Sequence, residues 1–156
     1  MKYIAEFTGT FFLVSVVIGS GIMAENISDG NIGVALLGNA ISTGAILYVI
    51  IKMFGPISGG HFNPSVSFVL FLRKELKSYD LIKYIFLQIT GSMLAVFIIH
   101  YIFETAIFQV STNVRGQWPL LVSEIIATCG LLLTILLIRR NDESSIAIGV
   151  ALFITA

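Results

Sequence analysis

Four long apolar stretches constrain the fold of this 156-residue chain more than any other feature. A helix needs about 20 mostly apolar residues to cross the hydrocarbon core of a bilayer, which is about 30 Å thick. Residues 3–24, 32–54, 81–103 and 119–138 meet that length with few charged interruptions. A fifth apolar run, residues 146–156, would cover about half of the bilayer at about 1.5 Å per residue. The sequence therefore predicts an all-α integral membrane protein with four full transmembrane helices and a partial fifth helix.

Composition excludes several other classes of protein. Only 12% of the residues are charged, whereas soluble globular chains carry about 25%. Nine basic residues balance nine acidic ones, so nothing indicates a nucleic-acid partner. The single cysteine and the distant pair His61 and His100 have no metal-ligand spacing. We expect no metal, no cofactor and no enzyme, because the isolated carboxylates do not form a converging catalytic group.

The basic residues predict the orientation, because cytoplasmic loops carry an excess of lysine and arginine. The loop after the third stretch contains a single basic residue, Arg115. The others fall at or near the opposite side: Lys2, Lys52, Arg73, Lys74, Lys77, Lys83, Arg139 and Arg140. We expect a cytoplasmic N-terminus in a cell membrane of the inner or plasma type. A cleaved signal peptide is the alternative for the first stretch, and Glu6 in its apolar part argues against it.

The connector between the second and third stretches is unusually apolar over residues 64–72. Asn63 is a favourable N-cap, and Pro64 suits the first helical position because that amide has no partner in a helix. Nine helical residues span about 13 Å, which predicts a half-membrane helix that re-enters the bilayer. A connector lying flat on the membrane is the alternative, but it would need a charged face that residues 63–72 lack.

The segment before this half-helix, residues 58–62, contains two glycines and does not suit a regular helix. Non-helical backbone at membrane depth occurs only where it is buried in protein or lines a water-filled cavity. Its carbonyls would offer hydrogen-bond acceptors, and the helix N-terminus would offer a partial positive charge. Together they predict a polar path with an electrostatic barrier to cations.

The string SGGHFNPSVS at residues 58–67 resembles the first asparagine-proline-alanine box of the aquaporin and glycerol-facilitator family, the major intrinsic proteins. Residues 6–13, Gln88 with Gly91, and Glu124 extend the resemblance along the chain. It implies a right-handed bundle of two inverted repeats, each with three spans and one half-helix. In a single domain over residues 1–156, residues 1–103 would form a complete first repeat and residues 118–156 part of the second.

The resemblance also implies roles for the residues around the box. Asn63 would donate its side-chain amide to a permeating molecule, and backbone carbonyls would accept hydrogen bonds from it. The side chain of His61 stays open between packing and pore. The implied pore residues are Gly59, Gly60, His61, Phe62, Asn63, Pro64 and Ser65.

Glu6, Glu124 and Gln88 are implied to be structural groups within the membrane. Intramembrane carboxylates are also candidates for a proton relay. The resemblance favours a scaffold, in which each carboxylate accepts hydrogen bonds from re-entrant backbone.

The expected function is passive, bidirectional diffusion of water and small uncharged solutes. Asn39 and Thr43 lie four residues apart, so they share one face of the second span. Thr43 falls where water-specific members commonly place a bulky aromatic residue, and Ala156 falls where they commonly have histidine. Small residues at both positions imply a wider constriction that admits glycerol, urea or neutral metalloid hydroxides.

Because the fifth apolar run stops at residue 156, we expect this chain to be incomplete and not to conduct by itself. A non-conducting relic or a structural membrane protein is the main alternative, and an ion-coupled transporter is a weaker one. By family resemblance the partners would be the bilayer, the solutes and further copies of the chain in a tetramer.

Overall fold

The computed structural model describes residues 1–109 and 116–156, so Arg115 lies outside the described residues. These residues form helices and no strand, which confirms the all-α prediction. A short 3-10 turn, Glu143–Ser145, precedes the last helix. The helices are α1 (Lys2–Ile27), α2 (Ile32–Ser58), α3 (Pro64–Leu72), α4 (Ser78–Ile102), α5 (Trp118–Asn141) and α6 (Ile146–Thr155). Four of them, α1, α2, α4 and α5, are long and apolar enough to cross a membrane.

The short helix α3 begins and ends at the predicted residues, whereas α2 runs four residues farther than its apolar stretch. Pro56 lies inside the last turn of α2 without ending it. The helix ends instead at Gly59, whose φ of 93° lets its N–H donate to the Gly55 carbonyl. The apolar stretch ended earlier because glycine and proline in the last turn of α2 lower its hydropathy, although the backbone there is still helical.

The helices other than α3 pack side by side in the order α4, α1, α2, α6 and α5. Helix α1 packs against α2 and α4, α6 packs against α2 and α5, and α3 lies against α4. Small residues allow the closest approaches: a Cβ on Gly91 of α4 would lie 2.7 Å from the Phe7 carbonyl oxygen of α1. A Cβ on Gly44 of α2 would lie 2.0 Å from Thr155 Oγ1 of α6. Helix α5 has no buried residue, so its apolar surface is available to lipid or to other protein.

Candidate functional site, a cavity beside the re-entrant helix

The backbone before α3 adopts a conformation that most residues avoid. Gly59, Gly60 and Phe62 have positive φ angles of 93°, 64° and 45°. Glycine adopts the left-handed region freely, but a phenylalanine there costs roughly 1–2 kcal/mol. Residues 58–63, which we call the pore loop, must therefore be held by contacts from elsewhere in the chain.

The carboxylate of Glu6 supplies those contacts, and Glu6 is completely buried. Its Oε1 accepts hydrogen bonds from Ser58 Oγ at 2.6 Å and from the His61 N–H at 3.0 Å. Its Oε2 accepts from the Phe62 N–H at 2.9 Å and from Gln88 Nε2 at 2.8 Å. Hydrogen bonds to an ionised acceptor are among the strongest in proteins. One side chain of α1 thus holds two successive backbone amides of the pore loop.

A second layer of polar contacts surrounds this carboxylate. Gln88 Nε2 also donates to Ser67 Oγ at 3.0 Å, and His61 Nδ1 lies 3.0 Å from the same hydroxyl. The Tyr84 hydroxyl donates to the Ser58 carbonyl at 2.8 Å, and its ring meets the His61 ring edge-on. His61 therefore packs and bonds on one side while it lines the cavity on the other.

Phe62 is buried, and its ring lies against Gly9 of α1. A Cβ on Gly9 would lie only 2.1 Å from the Phe62 ring. Phe54 meets Phe62 edge-to-face with 6.3 Å between the ring centroids. The glycine thus explains how an aromatic side chain fits beneath a strained backbone.

The N-terminus of α3 presents the Asn63 side chain to the cavity. Asn63 Oδ1 accepts a hydrogen bond from the Ser65 N–H at 2.8 Å, which fixes the orientation of the amide. Among the described residues, its Nδ2 takes part in no hydrogen bond. Pro64 and Ser65 do not line the cavity, so here they serve the start of the helix.

The cavity beside the pore loop has a volume of about 670 Å³. The whole pore loop lies along one side. Among the described residues, no hydrogen bond uses the carbonyl oxygens of residues 59–62 as acceptors. Most of the remaining lining is apolar and includes Leu13, Leu47, Ile51, Val66, Leu131, Ile135, Val150 and Ile154.

Charged side chains surround the open end of the cavity. Arg139 pairs with Glu75 across the opening, and Lys52 Nζ donates to the Ser144 carbonyl at 3.1 Å. Arg73 also donates to Glu75, at 2.8 Å. The hydrogen bond from Arg73, together with the charge of Arg139, lowers the pKa of Glu75 below its ordinary value. This charged mouth joins the α3–α4 connector to the end of α5.

Three residues singled out from the sequence lie away from this cavity. The Thr43 hydroxyl donates to Asn39 Oδ1 at 3.1 Å, and the same oxygen accepts from Ser20 Oγ on α1. Thr43 and Ala156 do not line the cavity. Glu124 is exposed on α5, and among the described residues no hydrogen bond joins it to the pore loop. The expected scaffold role therefore has a counterpart in the contacts of Glu6 but none in those of Glu124.

The sequence did not single out Ser58, Ser67, Tyr84 or Gly9 as individual contributors to the site. A signal for Tyr84 was present, because it lies four residues before Gln88 and so shares its helix face. The mouth residues carried no such signal, since Glu75 and Arg139 are 64 residues apart.

The sequence was also compared with known protein families and with individual proteins. The family model described as Major intrinsic protein, MIP, matches residues 1–156. The chain belongs to the major intrinsic protein family. Its four long apolar helices make it a multi-pass membrane protein.

Individual relatives include both water-channel and glycerol-facilitator names. The chain is 39% identical over 158 aligned residues, 99% of its length, to Aquaglyceroporin AqpS of Rhizobium meliloti. It is 40% identical over 65% of its length to Aquaporin Z of Brucella melitensis. It is 37% identical over 60% of its length to Glycerol uptake facilitator protein-like 6 of Lactiplantibacillus plantarum. These matches cover 66%, 43% and 40% of the three relatives, so the chain spans less than two thirds of their length.

Proposed function

We propose that the cavity is the half-pore of a channel for passive, bidirectional diffusion of water and small uncharged solutes. The observation that carries the proposal is that residues 59–62 all line the cavity, while their four carbonyl oxygens accept no hydrogen bond among the described residues. A solute that sheds water must find replacement hydrogen bonds, because an unpaired polar group costs several kcal/mol. The carbonyls offer acceptors, Asn63 offers a donor, and the apolar residues of the lining add no strong contact that would retain the solute.

The same elements disfavour ions. The N-terminus of α3 carries a partial positive charge of about half an elementary charge, directed toward the region of Asn63. Cations lose affinity there, while anions meet carbonyl oxygens and an apolar wall. Neutral molecules avoid both penalties.

We propose that the solutes include glycerol, urea or neutral metalloid hydroxides as well as water. Thr43 and Ala156 are small residues outside the cavity, and the close approach of Gly44 to Thr155 brings their helix segments together, so a constriction between them would be a separate part of the path. A constriction built from small side chains admits molecules larger than water. The name of the relative AqpS, an aquaglyceroporin, supports glycerol and water within this range.

We propose that the charged mouth faces the cytoplasm of a cell with an inner or plasma membrane. Lys2, at the start of α1, forms an ion pair with Asp80 at the start of α4. Lys52 and Arg139 lie at the mouth. A concentration of basic residues on one side is typical of the cytoplasmic face. The N-terminus is then cytoplasmic, and the exposed surface of α5 is a candidate contact between copies in a homo-oligomer.

We further propose that residues 1–156, as a single domain with a complete first repeat (1–103) and a partial second (118–156), do not conduct by themselves. The cavity of about 670 Å³ is much larger than the space one water molecule needs, so many waters would share it side by side. A narrow pore needs more protein surface opposite the pore loop. The competing hypothesis, a non-conducting relic, predicts no permeability even when that surface is supplied.

Stopped-flow light scattering on proteoliposomes tests these proposals with water and glycerol gradients. Two proteins are compared: the 156-residue chain, and the same chain extended after Ala156 by the corresponding remainder of AqpS. We expect permeability above that of empty vesicles only for the extended protein. Asn63→Ala should abolish most of it, while Asn26→Ala at an exposed position of α1 should not.

The outcomes separate the claims. If the 156-residue chain alone is permeable and its permeability depends on Asn63, the proposal that it does not conduct by itself is wrong, while the proposal of a channel stands. Permeability to water but not to glycerol would overturn the proposed range of solutes. An extended, folded protein that conducts nothing would overturn the channel itself.

A further inference from the structure

A second concave surface lies on the outside of the bundle, between α1 and α4 at their basic end. This groove has a volume of about 390 Å³ and is lined by Tyr3, Ile82, Lys83, Phe86 and Leu87. We call it the α1–α4 groove. It is separate from the cavity, since the two share no lining residue. Its side chains belong to none of the contacts that hold the pore loop.

The α1–α4 groove carries a cation that the chain does not neutralise with an acid. Asp80, the nearby carboxylate, is taken up by Lys2 Nζ at 2.9 Å and by the Tyr3 hydroxyl at 2.7 Å. Lys83 Nζ instead lies over two aromatic faces, 4.1 Å from the Tyr79 ring centroid and 4.8 Å from that of Tyr3. Among the described residues, no carboxylate lies within ion-pair distance of it. Aromatic faces orient an ammonium group but leave its charge in place.

Polarity changes along this face of α4 in one direction. Tyr79, Lys83 and Phe86 recur at helical spacing, so they lie on one face. The tyrosine and the lysine belong to the first turns of α4, and the exposed apolar residues Ile82 and Phe86 extend toward the middle of the helix. Tyrosine and lysine at the interface with apolar groups below them match the polarity of a phospholipid.

We propose that the α1–α4 groove binds one anionic phospholipid. Its phosphate meets the Lys83 ammonium, and one acyl chain lies along Ile82, Phe86 and Leu87. The unneutralised lysine favours an anionic headgroup over a zwitterionic one, because basic pockets between transmembrane helices attract anionic lipids. The length of apolar surface below the lysine favours a lipid over a free phosphate ion, which would have no use for it.

Native mass spectrometry of the detergent-solubilised protein measures this binding, with phosphatidylglycerol and phosphatidylcholine as probes at equal chain length. We expect the protein to retain one phosphatidylglycerol molecule tightly and to bind phosphatidylcholine more weakly. Lys83→Gln should weaken phosphatidylglycerol about fivefold, the effect of one lysine near an anionic lipid, and Lys83→Arg should retain it. The control Lys74→Gln removes the same charge from an exposed lysine outside the groove and should change affinity less than twofold.

Four results would overturn the proposal. The two lipids could bind equally to the native protein, or Lys83→Gln could bind phosphatidylglycerol as well as Lys74→Gln does. Soluble glycerol phosphate could displace the lipid, which would show an anion site without a role for the apolar surface. A change in the mass of the oligomer with Lys83→Gln, without any loss of lipid, would assign the groove to a second copy of the chain. None of these readouts depends on conduction.

Discussion

Replacing Glu6 by glutamine tests whether one carboxylate holds the pore loop. The four donors around it are the Ser58 hydroxyl, the His61 and Phe62 amides and the Gln88 side chain. A glutamine has one acceptor oxygen and one NH₂ group in place of two acceptor oxygens. The glutamine fits best with its oxygen at the position of Oε2, because the Ser58 hydroxyl near the position of Oε1 can rotate and accept a hydrogen bond from the new NH₂ group.

In that orientation the new NH₂ faces the His61 N–H, which cannot accept a hydrogen bond. A buried donor without a partner costs about 1–3 kcal/mol. The bonds that remain lose their ionic character, at about 1 kcal/mol each. The expected loss in the free energy of unfolding is therefore roughly 3–5 kcal/mol.

Thermal unfolding in detergent, followed by circular dichroism, measures the effect. For a chain of this size about 1 kcal/mol corresponds to about 2–4 °C, so Glu6→Gln should lower Tm by about 6–20 °C. Glu25→Gln makes the same chemical change at an exposed position of the same helix and should leave Tm within about 2 °C. Equal midpoints for the two variants would refute the account of the pore loop.

Two further predictions concern the packing of Phe62 and the charged mouth. Gly9→Ala should destabilise by about 1–3 kcal/mol because its Cβ would overlap the Phe62 ring. In the same unfolding assay, Gly19→Ala, whose Cβ would meet nothing closer than 3.6 Å, should be neutral or slightly stabilising; equal losses at both sites would contradict the packing argument. The pKa of Glu75 is lowered because Arg73 donates to it and Arg139 lies beside it. The ionised Glu75 therefore stabilises the folded state above the ordinary glutamate pKa of about 4.3, and this stabilisation is lost as the pH falls through the lowered pKa of the folded state. The Tm of the native protein should exceed that of Glu75→Gln slightly at pH 7, by the 0–1 kcal/mol typical of exposed pairs, and the gap should close toward pH 3; a gap independent of pH would contradict it.

Local chemistry explains why α3 could be predicted in full. Its start depends on an asparagine cap followed by proline, and both act within three residues of the chain. Its apolar content marked it as a membrane segment, and the basic residues after it marked its end. No distant contact was needed for either inference.

The pore loop shows where sequence reasoning ends. Two adjacent glycines indicated irregular backbone, but the partner of that backbone, Glu6, lies more than 50 residues earlier in the chain. Only resemblance to a family suggested the pairing. The positive φ of Phe62 and its space beneath Gly9 depend on how α1 packs, which no local pattern records.

The surroundings of Thr43 depend on tertiary packing in the same way. Its spacing from Asn39 predicted a shared face, and the structure joins the two side chains. Which neighbour that face meets was not readable from spacing, and Ser20 of α1 is the residue found there.

If the cavity beside the pore loop is an aqueous path, a cysteine placed in its lining should react with a water-soluble reagent. Ile51 lines the cavity, whereas Val49, two residues earlier on α2, is exposed on the outside of the bundle. In a Cys129→Ala background, each position is changed to cysteine, and the chain is reconstituted in vesicles. The rate of reaction with a small water-soluble methanethiosulfonate reagent is then measured. The account predicts rapid modification of Ile51→Cys and slow modification of Val49→Cys, which would face lipid. Equal rates, or faster reaction at position 49, would contradict it.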